Sequence, residues 1–268
     1  MLVDFHTHIF PDKIAEKALN ILKAGVLKYE NIEAISYYDG TKSGLLSNME
    51  KNAVDISITL PIATNPSQTE SINAFALKVK DSKIISFASL HPLNENTDEI
   101  LNSIKKSGFL GIKLHPEFQN CYVDSKECIK ILKKAEELKL YTVFHTGQDI
   151  GIPPPVHSTP KHLKNALEYV SGKFIIAAHL GGWRMWDDVE KYLVGTDVIF
   201  DTAFLVNNIN PEQYLRIIKN HGSEKIVFGS DNPWEDPKDT LSYLLSLNLS
   251  EKELSNITYK NALKILKV

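Results

Sequence analysis

Eight short apolar runs, rich in β-branched and aromatic residues, alternate along the chain with longer amphipathic stretches. A run of this kind predicts a buried β-strand, and apolar residues three to four positions apart predict a helix. This alternation is typical of βα units, which build parallel sheets. The predicted strands are Leu2–His6, Val54–Leu60, Ile84–Leu90, Leu110–Leu114, Tyr141–His145, Phe174–Ala178, Val198–Asp201 and Ile226–Gly229.

The spacing of these elements favours a closed barrel over an open sheet. Eight βα units in 268 residues fit an α/β fold of the (β/α)8 TIM-barrel type. An open nucleotide-binding sheet usually has a glycine-rich first turn, and residues 5–12 contain no glycine. The predicted helices are Asp12–Ala24, Ser67–Lys80, Thr97–Ser107, Ser125–Lys139, Thr159–Val170, Trp186–Leu193, Pro211–Asn220 and Lys238–Leu247.

Two segments depart from the regular βα period. The connection after strand 1, residues 9–53, is a long insertion that holds the polar, tyrosine-bearing stretch Tyr29–Gly44. Because this connection leaves the carboxyl end of a strand, we expect Tyr29–Gly44 to form a flap over the barrel mouth. The segment Glu251–Val268 predicts a C-terminal helical tail. Since no repeat or low-complexity linker is visible, we expect residues 1–268 to form a single domain.

Composition narrows the classes of partner. The chain has 33 acidic and 30 basic residues, a formal charge of −3 and no run of like charge. We therefore expect no nucleic acid and no membrane as partner, but a small-molecule substrate, with a homo-oligomer left open. Two cysteines cannot supply a disulfide framework and the first residues do not resemble a signal peptide, so we expect a cytoplasmic protein.

Chemistry-bearing side chains follow the predicted strands at their carboxyl ends, where the active site of a TIM barrel lies. Histidines that are two apart on a strand point to the same face, so His6 and His8 can converge on one ion. Six of the nine histidines lie at strand ends. The chemistry-bearing residues at these positions are His6, His8, His91, Lys113, His115, His145, His179 and Asp231. Imidazole and carboxylate are ligands that zinc favours, so these residues predict a metal site.

Five motifs in this order resemble the amidohydrolase superfamily over nearly the whole chain. They are DFHTH at the start, GIKLHP on the fourth strand, VFHTG on the fifth, AHLGG on the sixth and FGSDNPW on the eighth. Within the superfamily the chain is similar to the amidohydrolase-related group. That group includes aminocarboxymuconate-semialdehyde decarboxylase, resorcylate decarboxylases and hydrolases.

The resemblance implies a mononuclear site. It makes His6, His8, His145 and Asp231 the ligands of one divalent ion, which we expect to be Zn²⁺. His179 is then an unliganded catalytic histidine, and Asp231 also acts in catalysis by accepting a proton and passing it to the leaving group. The alternative is a binuclear site in which a carbamylated Lys113 bridges two ions and His145 and His179 hold the second.

The expected function is metal-dependent hydrolysis of a small-molecule amide, ester or lactone by an activated water. The alternative within enzymes is metal-dependent nonoxidative decarboxylation of a small unsaturated or aromatic carboxylic acid. Decarboxylation requires a carboxylate clamp, for which arginine is best shaped, and Arg184 can reach the mouth whereas Arg216 cannot. A metal-holding barrel without turnover is the third hypothesis, but it would not need both Asp231 and His179.

The remaining candidates have weaker signals. We expect His115 to point at substrate, while His157 stays undecided on a loop that should overhang the site. The others are interpreted as structural: His91, His162, His221, Cys121 and Cys128.

Overall fold

The strands of the computed structural model, which describes residues 1–267, form the predicted parallel barrel, and each predicted run overlaps an observed strand. Phe87 alone separates β3 from β4, so the nine strands occupy eight positions. β3 pairs with β2 and β4 pairs with β5. The strands are β1 Val3–Thr7, β2 Ile56–Thr59, β3 Ile84–Ser86, β4 Ala88–Ser89, β5 Gly111–Leu114, β6 Tyr141–Phe144, β7 Ile175–Ala177, β8 Ile199–Asp201 and β9 Ile226–Val227.

Hydrogen bonds outside the regular strand pairs close the barrel. The Phe87 amide donates to the Thr59 carbonyl at 3.0 Å and joins the two groups of strands. The Phe5 amide donates to the Phe228 carbonyl at 2.8 Å, and the Asp231 amide donates to the His6 carbonyl at 2.9 Å. These last two bonds join β9 to β1, so the first and last strands become neighbours.

Helices follow the strands and cover the barrel. Within residues 1–267, no helix is both long enough and apolar enough to cross a membrane. The helices are α1 Asp12–Glu30, α2 Lys42–Lys51, α3 Thr69–Val79, α4 Thr97–Lys106, α5 Pro116–Gln119, α6 Lys126–Glu137, α7 Pro160–Ala166, α8 Trp186–Tyr192, α9 Pro211–His221, α10 Pro237–Ser246, α11 Glu251–Ser255 and α12 Asn261–Leu266.

Helix α1 is longer than predicted. The prediction ended it at about Ala24. The helix instead continues to Glu30, since Gly25 packs against the loop after β6: a Cβ at position 25 would lie 3.2 Å from the Gly151 carbonyl oxygen. Tertiary packing thus favours a small residue at this position of the helix.

Side chains of the strands fill the barrel interior, and the C-terminal tail closes one end of it. Inward-facing Val3, Phe5, Ile58 and Phe87 form one buried cluster with other strand residues and with three residues of α12, Ala262, Ile265 and Leu266. The Asn261 amide group donates to the Ile226 carbonyl at 2.7 Å, at the start of β9. The tail therefore packs at the amino end of the strands, opposite the catalytic face. Val268, the last residue of the predicted tail, lies outside the described residues.

The long first connection lies on the carboxyl side of the strands. The Tyr37 amide donates to the Pro233 carbonyl at 2.9 Å, and the Tyr38 hydroxyl donates to the His8 carbonyl. Glu30, the last residue of α1, accepts a hydrogen bond of 2.9 Å from Nη1 of Arg184, which lies in the loop after β7. Residues 29–44 thus lie at the mouth, and their action as a flap stays a prediction.

Glu235 predicts a pH dependence of stability. Its buried carboxylate accepts from the Thr240 hydroxyl at 2.6 Å and from the Val206 amide at 3.0 Å, and burial raises its pKa from 4.5 to about 8. A carboxyl group whose pKa is higher in the folded chain contributes stability below its unfolded pKa, and this contribution is lost as the pH rises through the folded pKa. We therefore expect this group to lower the free energy of unfolding between pH 5 and 8, by at most ~1.4 kcal/mol per pH unit.

Chemical denaturation at several pH values checks this expectation. The Glu235→Gln variant should show a shallower fall in the free energy of unfolding with pH than the wild type. Parallel pH profiles for the two proteins would contradict it.

Candidate metal centre

The residues predicted for the metal site meet at the carboxyl ends of the strands. His6 lies within β1 and His8 follows it, while His145 follows β6 directly. His179 lies two residues after β7, and Asp231 lies in the turn after β9. Because parallel strands place their carboxyl ends on one face, residues distant in sequence become neighbours there.

One group joins three of the four predicted ligands. His8 Nε2 lies 3.1 Å from Asp231 Oδ1, and His6 Nε2 lies 3.4 Å from the same oxygen. These three residues can each offer a ligand atom within 4.8 Å of the others. Burial alone would raise the pKa of Asp231, but the neighbouring His6 and His8 imidazoles hold it below its usual value. Asp231 is therefore an ionised carboxylate.

The outward nitrogen of each site histidine faces an acceptor oxygen. Carbonyl and carboxylate oxygens can only accept hydrogen bonds, and therefore the outward nitrogen carries the ring proton. The second nitrogen of a neutral ring then offers a lone pair to the centre. The outward contacts are His6 Nδ1 to Asp201 Oδ2 at 2.8 Å, His8 Nδ1 to the Leu60 carbonyl at 3.0 Å, His145 Nε2 to the Gln148 carbonyl at 3.2 Å and His179 Nδ1 to the Ala203 carbonyl at 3.0 Å.

The inward atoms lie close to one another at the centre. His145 Nδ1 lies 3.1 Å from His179 Nε2, and His8 Nε2 lies 3.1 Å from Asp231 Oδ1. Burial holds the pKa of His6 and of His145 well below the usual value, which disfavours extra protons on these rings. Atoms at such separations match two ligands of one ion with bonds of about 2.0–2.2 Å. The donor set fits a divalent metal, and the outward acceptors orient the rings as metal ligands require.

The mononuclear prediction gives His145 and His179 different roles, but their positions in the structure do not distinguish a ligand from an unliganded residue. The two rings contact each other, and the His179 ring centroid is also 5.3 Å from that of His6. His145 groups in addition with His115 and Asp149, whose ligand atoms lie within 4.8 Å of one another. The roles of His145 as ligand and His179 as unliganded catalytic residue remain proposals.

Lys113 lies where the binuclear alternative places it. Its Nζ is 3.4 Å from His6 Nε2, and the side chain is 1% exposed. Burial lowers the pKa of this amine to about 8. The position is therefore compatible with either a bridging group or a substrate-pairing cation.

Asp201 and Asp149 belong to the site, although sequence reasoning gave neither a role. Asp201 is fully buried, and besides His6 it accepts from the His179 amide at 2.8 Å. Asp149 Oδ2 lies 3.3 Å from His115 Nε2. The available signals were that Asp201 ends a predicted strand and that Asp149 follows His145 by four residues.

Asp201 leads to a prediction about metal affinity. Asp201→Asn keeps the shape and an acceptor oxygen but removes the charge opposite His6 Nδ1, so the imidazole becomes a weaker ligand. We expect the metal affinity to fall by about 10- to 100-fold, measured by competition with a chromophoric chelator. Asp197→Asn, at an exposed acid two residues before the start of β8, is the matched control. Equal affinities in the two variants would count against this role.

Of the residues interpreted as structural, His91 and His221 contact backbone groups, the two cysteines contact each other, and the His162 ring packs edge-on against Tyr122. His221 Nε2 lies 2.8 Å from the Val198 carbonyl, and His91 Nδ1 accepts from the Leu93 amide at 3.2 Å. Cys121 and Cys128 are buried free thiols whose sulfur atoms are 3.6 Å apart. None of these contacts involves the metal ligands.

Comparison with solved structures supports the fold. A 5-carboxyvanillate decarboxylase from Sphingomonas paucimobilis superposes with a TM-score of 0.70 at 13% identity, covering 100% of this chain and 99% of that chain. A dihydroxybenzoic acid decarboxylase from Polaromonas with bound manganese gives 0.70 at 14% identity and covers 99% and 96%. A probable 2-pyrone-4,6-dicarboxylic acid hydrolase from Acinetobacter baumannii gives 0.67 at 16% identity and covers 100% and 99%. The comparison with curated proteins finds no match.

The parallel barrel and its histidine and aspartate cluster define a metal-dependent enzyme of the amidohydrolase type. The Amidohydrolase family model of the Amidohydro_2 group matches residues 3–268. The chain belongs to this family, as its motifs implied.

Proposed function

We propose that this enzyme hydrolyses a small-molecule amide, ester or lactone. His6, His8, His145 and Asp231 would hold one divalent ion, for which imidazole and carboxylate donors make Zn²⁺ the first choice. When bound, such an ion supplies Lewis-acid chemistry, polarising a carbonyl group and making water acidic near neutral pH.

Two residues have atoms suited to proton transfer. Asp231 is an ionised carboxylate, so its oxygens can accept a proton from attacking water and pass it to the leaving group. His179 carries its ring proton on Nδ1, bonded to the Ala203 carbonyl, so its Nε2 lone pair faces the centre and can orient a water or accept its proton. Hydrolysis needs these groups and room for water, without a further charged clamp.

The ion pair that Arg184 forms within the chain supports hydrolysis over decarboxylation. Its Nη1 donates to both carboxylate oxygens of Glu30 at 2.9 and 3.0 Å, and its guanidinium stacks over Trp183 at 4.1 Å. The other arginine of the sequence, Arg216, pairs with Glu190 away from the mouth. The guanidinium best placed to clamp a substrate carboxylate is thus already paired with a carboxylate of the chain itself.

Nonoxidative decarboxylation of a small unsaturated or aromatic acid is the alternative. It is favoured by one observation, the buried amine of Lys113 beside His6, which can hold a carboxylate as a point charge. A panel of lactones, esters, amides and aromatic or muconate-type acids, assayed with zinc- and with manganese-loaded protein, distinguishes the two reactions. Carbon dioxide release without any hydrolysis would reverse the order.

Arg184→Ala gives a separate prediction. If the substrate is hydrolysed without help from this guanidinium, KM should change by less than about 3-fold, as for other surface ion pairs. Steady-state kinetics on the best substrate from the panel measures it. A large rise in KM for an acid substrate would instead assign Arg184 to carboxylate binding and support decarboxylation.

A further inference from the structure

Two thiols that the proposed mechanism does not use face each other behind the loop after β5. Cys121 and Cys128 are both free and buried, and their sulfur atoms are 3.6 Å apart. The sulfur atoms of a disulfide are about 2.05 Å apart, so an approach of about 1.5 Å would join these two. They are the two cysteines of the chain, and each is therefore the only thiol partner that the other has within it.

The start of α6 brings the two sulfur atoms together. Ser125 caps this helix, and its Oγ accepts from the Cys128 amide at 3.2 Å. The same Oγ lies 3.1 Å from Cys121 Sγ. The Ser125 amide donates to the Tyr122 carbonyl at 3.0 Å, in a turn that precedes the helix. Cys121 is thus held against the first turn of α6, where Cys128 is the third residue.

The two thiols differ in reactivity and in access. The hydrogen bond from the Cys128 thiol, with a second one from Ser125, holds the pKa of Cys121 below its usual value. The same contact and burial raise the pKa of Cys128 well above its usual value. Cys121 is 7% exposed and Cys128 is 1% exposed. Because the thiolate is the nucleophilic form of cysteine, Cys121 is the thiol that a small oxidant can reach and that can attack it.

We infer that Cys121 and Cys128 are a modification site at which a hydroperoxide forms a reversible disulfide. The Cys121 thiolate attacks one peroxide oxygen and the O–O bond breaks. With hydrogen peroxide, the hydroxide that leaves takes the proton lost by Cys121 and becomes water, and Cys121 becomes a sulfenic acid. The Cys128 sulfur then attacks the Cys121 sulfur, the S–O bond breaks, and the second hydroxide leaves as water with the Cys128 proton. Two thiols are oxidised and one peroxide is reduced to two water molecules.

A metal ion is the other species that two facing thiols can attract. Structural zinc sites have four ligands, usually from cysteine and histidine. Two groups of donors within residues 1–267 have ligand atoms within 4.8 Å of one another, and they are His6, His8 and Asp231, and His115, His145 and Asp149. Neither group contains a cysteine, and the further polar side chain that contacts the thiols is the neutral hydroxyl of Ser125. This donor set favours oxidation over metal binding.

The disulfide would fasten a segment that joins two loops of the barrel mouth. The Cys121 amide donates to the Pro116 carbonyl at 3.1 Å, in the connection after β5. The Val123 amide donates to the His157 carbonyl at 3.1 Å, in the loop after β6. A covalent bond from Cys121 to α6 makes local opening of residues 121–123 less frequent. We therefore expect the amides of Cys121 and Val123 to exchange with solvent more slowly in the oxidised protein, as measured by hydrogen exchange and mass spectrometry.

Treatment of the zinc-loaded full chain with hydrogen peroxide at pH 7 tests the inference. The protein is first reduced with a phosphine, which is then removed, and free thiols and intact mass are measured after denaturation. We expect both thiols to disappear together, the mass to fall by two hydrogen atoms, and a dithiol to restore both thiols. A peptide map should show the link between Cys121 and Cys128. Methionine oxidation adds an oxygen atom instead, so the mass distinguishes the two reactions.

Two matched serine variants separate the roles of the thiols. Cys128→Ser should stop at the sulfenic acid of Cys121, which dimedone traps. Cys121→Ser should lose its remaining thiol at least about 10-fold more slowly than the wild type loses its thiols, because Cys128 is buried and its thiolate is disfavoured. Equal rates of thiol loss in the two variants would contradict the assignment of Cys121 as the nucleophile.

Wild-type protein that keeps both free thiols in peroxide, or that forms disulfides between chains instead, would overturn the inference. So would protection of both thiols that a chelator removes without a change in the denatured mass, because the thiols would then hold a metal. Unchanged exchange of the Cys121 and Val123 amides in the oxidised protein would refute the restraint on this segment. None of these measurements requires turnover, so their outcome is independent of the proposed function.

Discussion

Replacing His6 with alanine is expected to release the metal ion and to abolish turnover. His6 Nε2 faces Asp231 Oδ1 at 3.4 Å, and its Nδ1 is fixed by Asp201 at 2.8 Å, so this ring is an oriented member of the donor set. Loss of groups that merely orient a ligand costs 10- to 100-fold in metal affinity, and loss of the ligand itself should cost more than about 100-fold. Elemental analysis of protein purified without chelator or nickel resin measures the metal content.

His91→Ala is the matched control for this experiment. His91 also follows a strand of the barrel, but its Nδ1 accepts from the Leu93 amide, so the variant should retain the metal. A His6→Ala protein that keeps its full metal content would refute the site. Two ions per chain in the wild type, together with a carbamylated Lys113 in the mass spectrum of the native protein, would support the binuclear arrangement instead.

Replacing His179 with alanine is expected to separate catalysis from metal binding. In the mononuclear arrangement His179 holds no metal, so the variant should keep the ion while turnover falls by ~10²-fold or more, as for a lost general acid or base. The measurement pairs kcat and KM with the metal content of the same preparation. His162→Ala, at a histidine of helix α7 outside the cluster, should change neither quantity.

The contact between His179 Nε2 and His145 Nδ1 makes this variant decisive. Because both nitrogens present lone pairs at 3.1 Å, they are also suited to share one ion. Loss of metal from His179→Ala would contradict the mononuclear assignment and make His179 a ligand. Retained metal with unchanged turnover would remove His179 from the mechanism altogether.

The sequence by itself predicted the barrel and most of the residues at its mouth. Strand runs such as Tyr141–His145 have a local signature, because burial on both faces requires a continuous apolar run whatever the rest of the chain does. The positions of His6, His8, His145, His179 and Asp231 followed from the same pattern, since parallel strands bring their carboxyl ends to one face. Barrel order and strand direction are sufficient for that conclusion.

Only the tertiary structure decided which atoms face one another. Asp201 bonds to His6 across 195 positions of sequence, and Glu30 pairs with Arg184 across 154. Helix α1 continues through Gly25 because a loop more than a hundred residues later packs against it. Periodicity reports the environment of a residue, buried or exposed, but not the identity of its neighbour. Partners, ring tautomers and free lone pairs are set when the barrel closes and each buried polar atom must find an acceptor or donor.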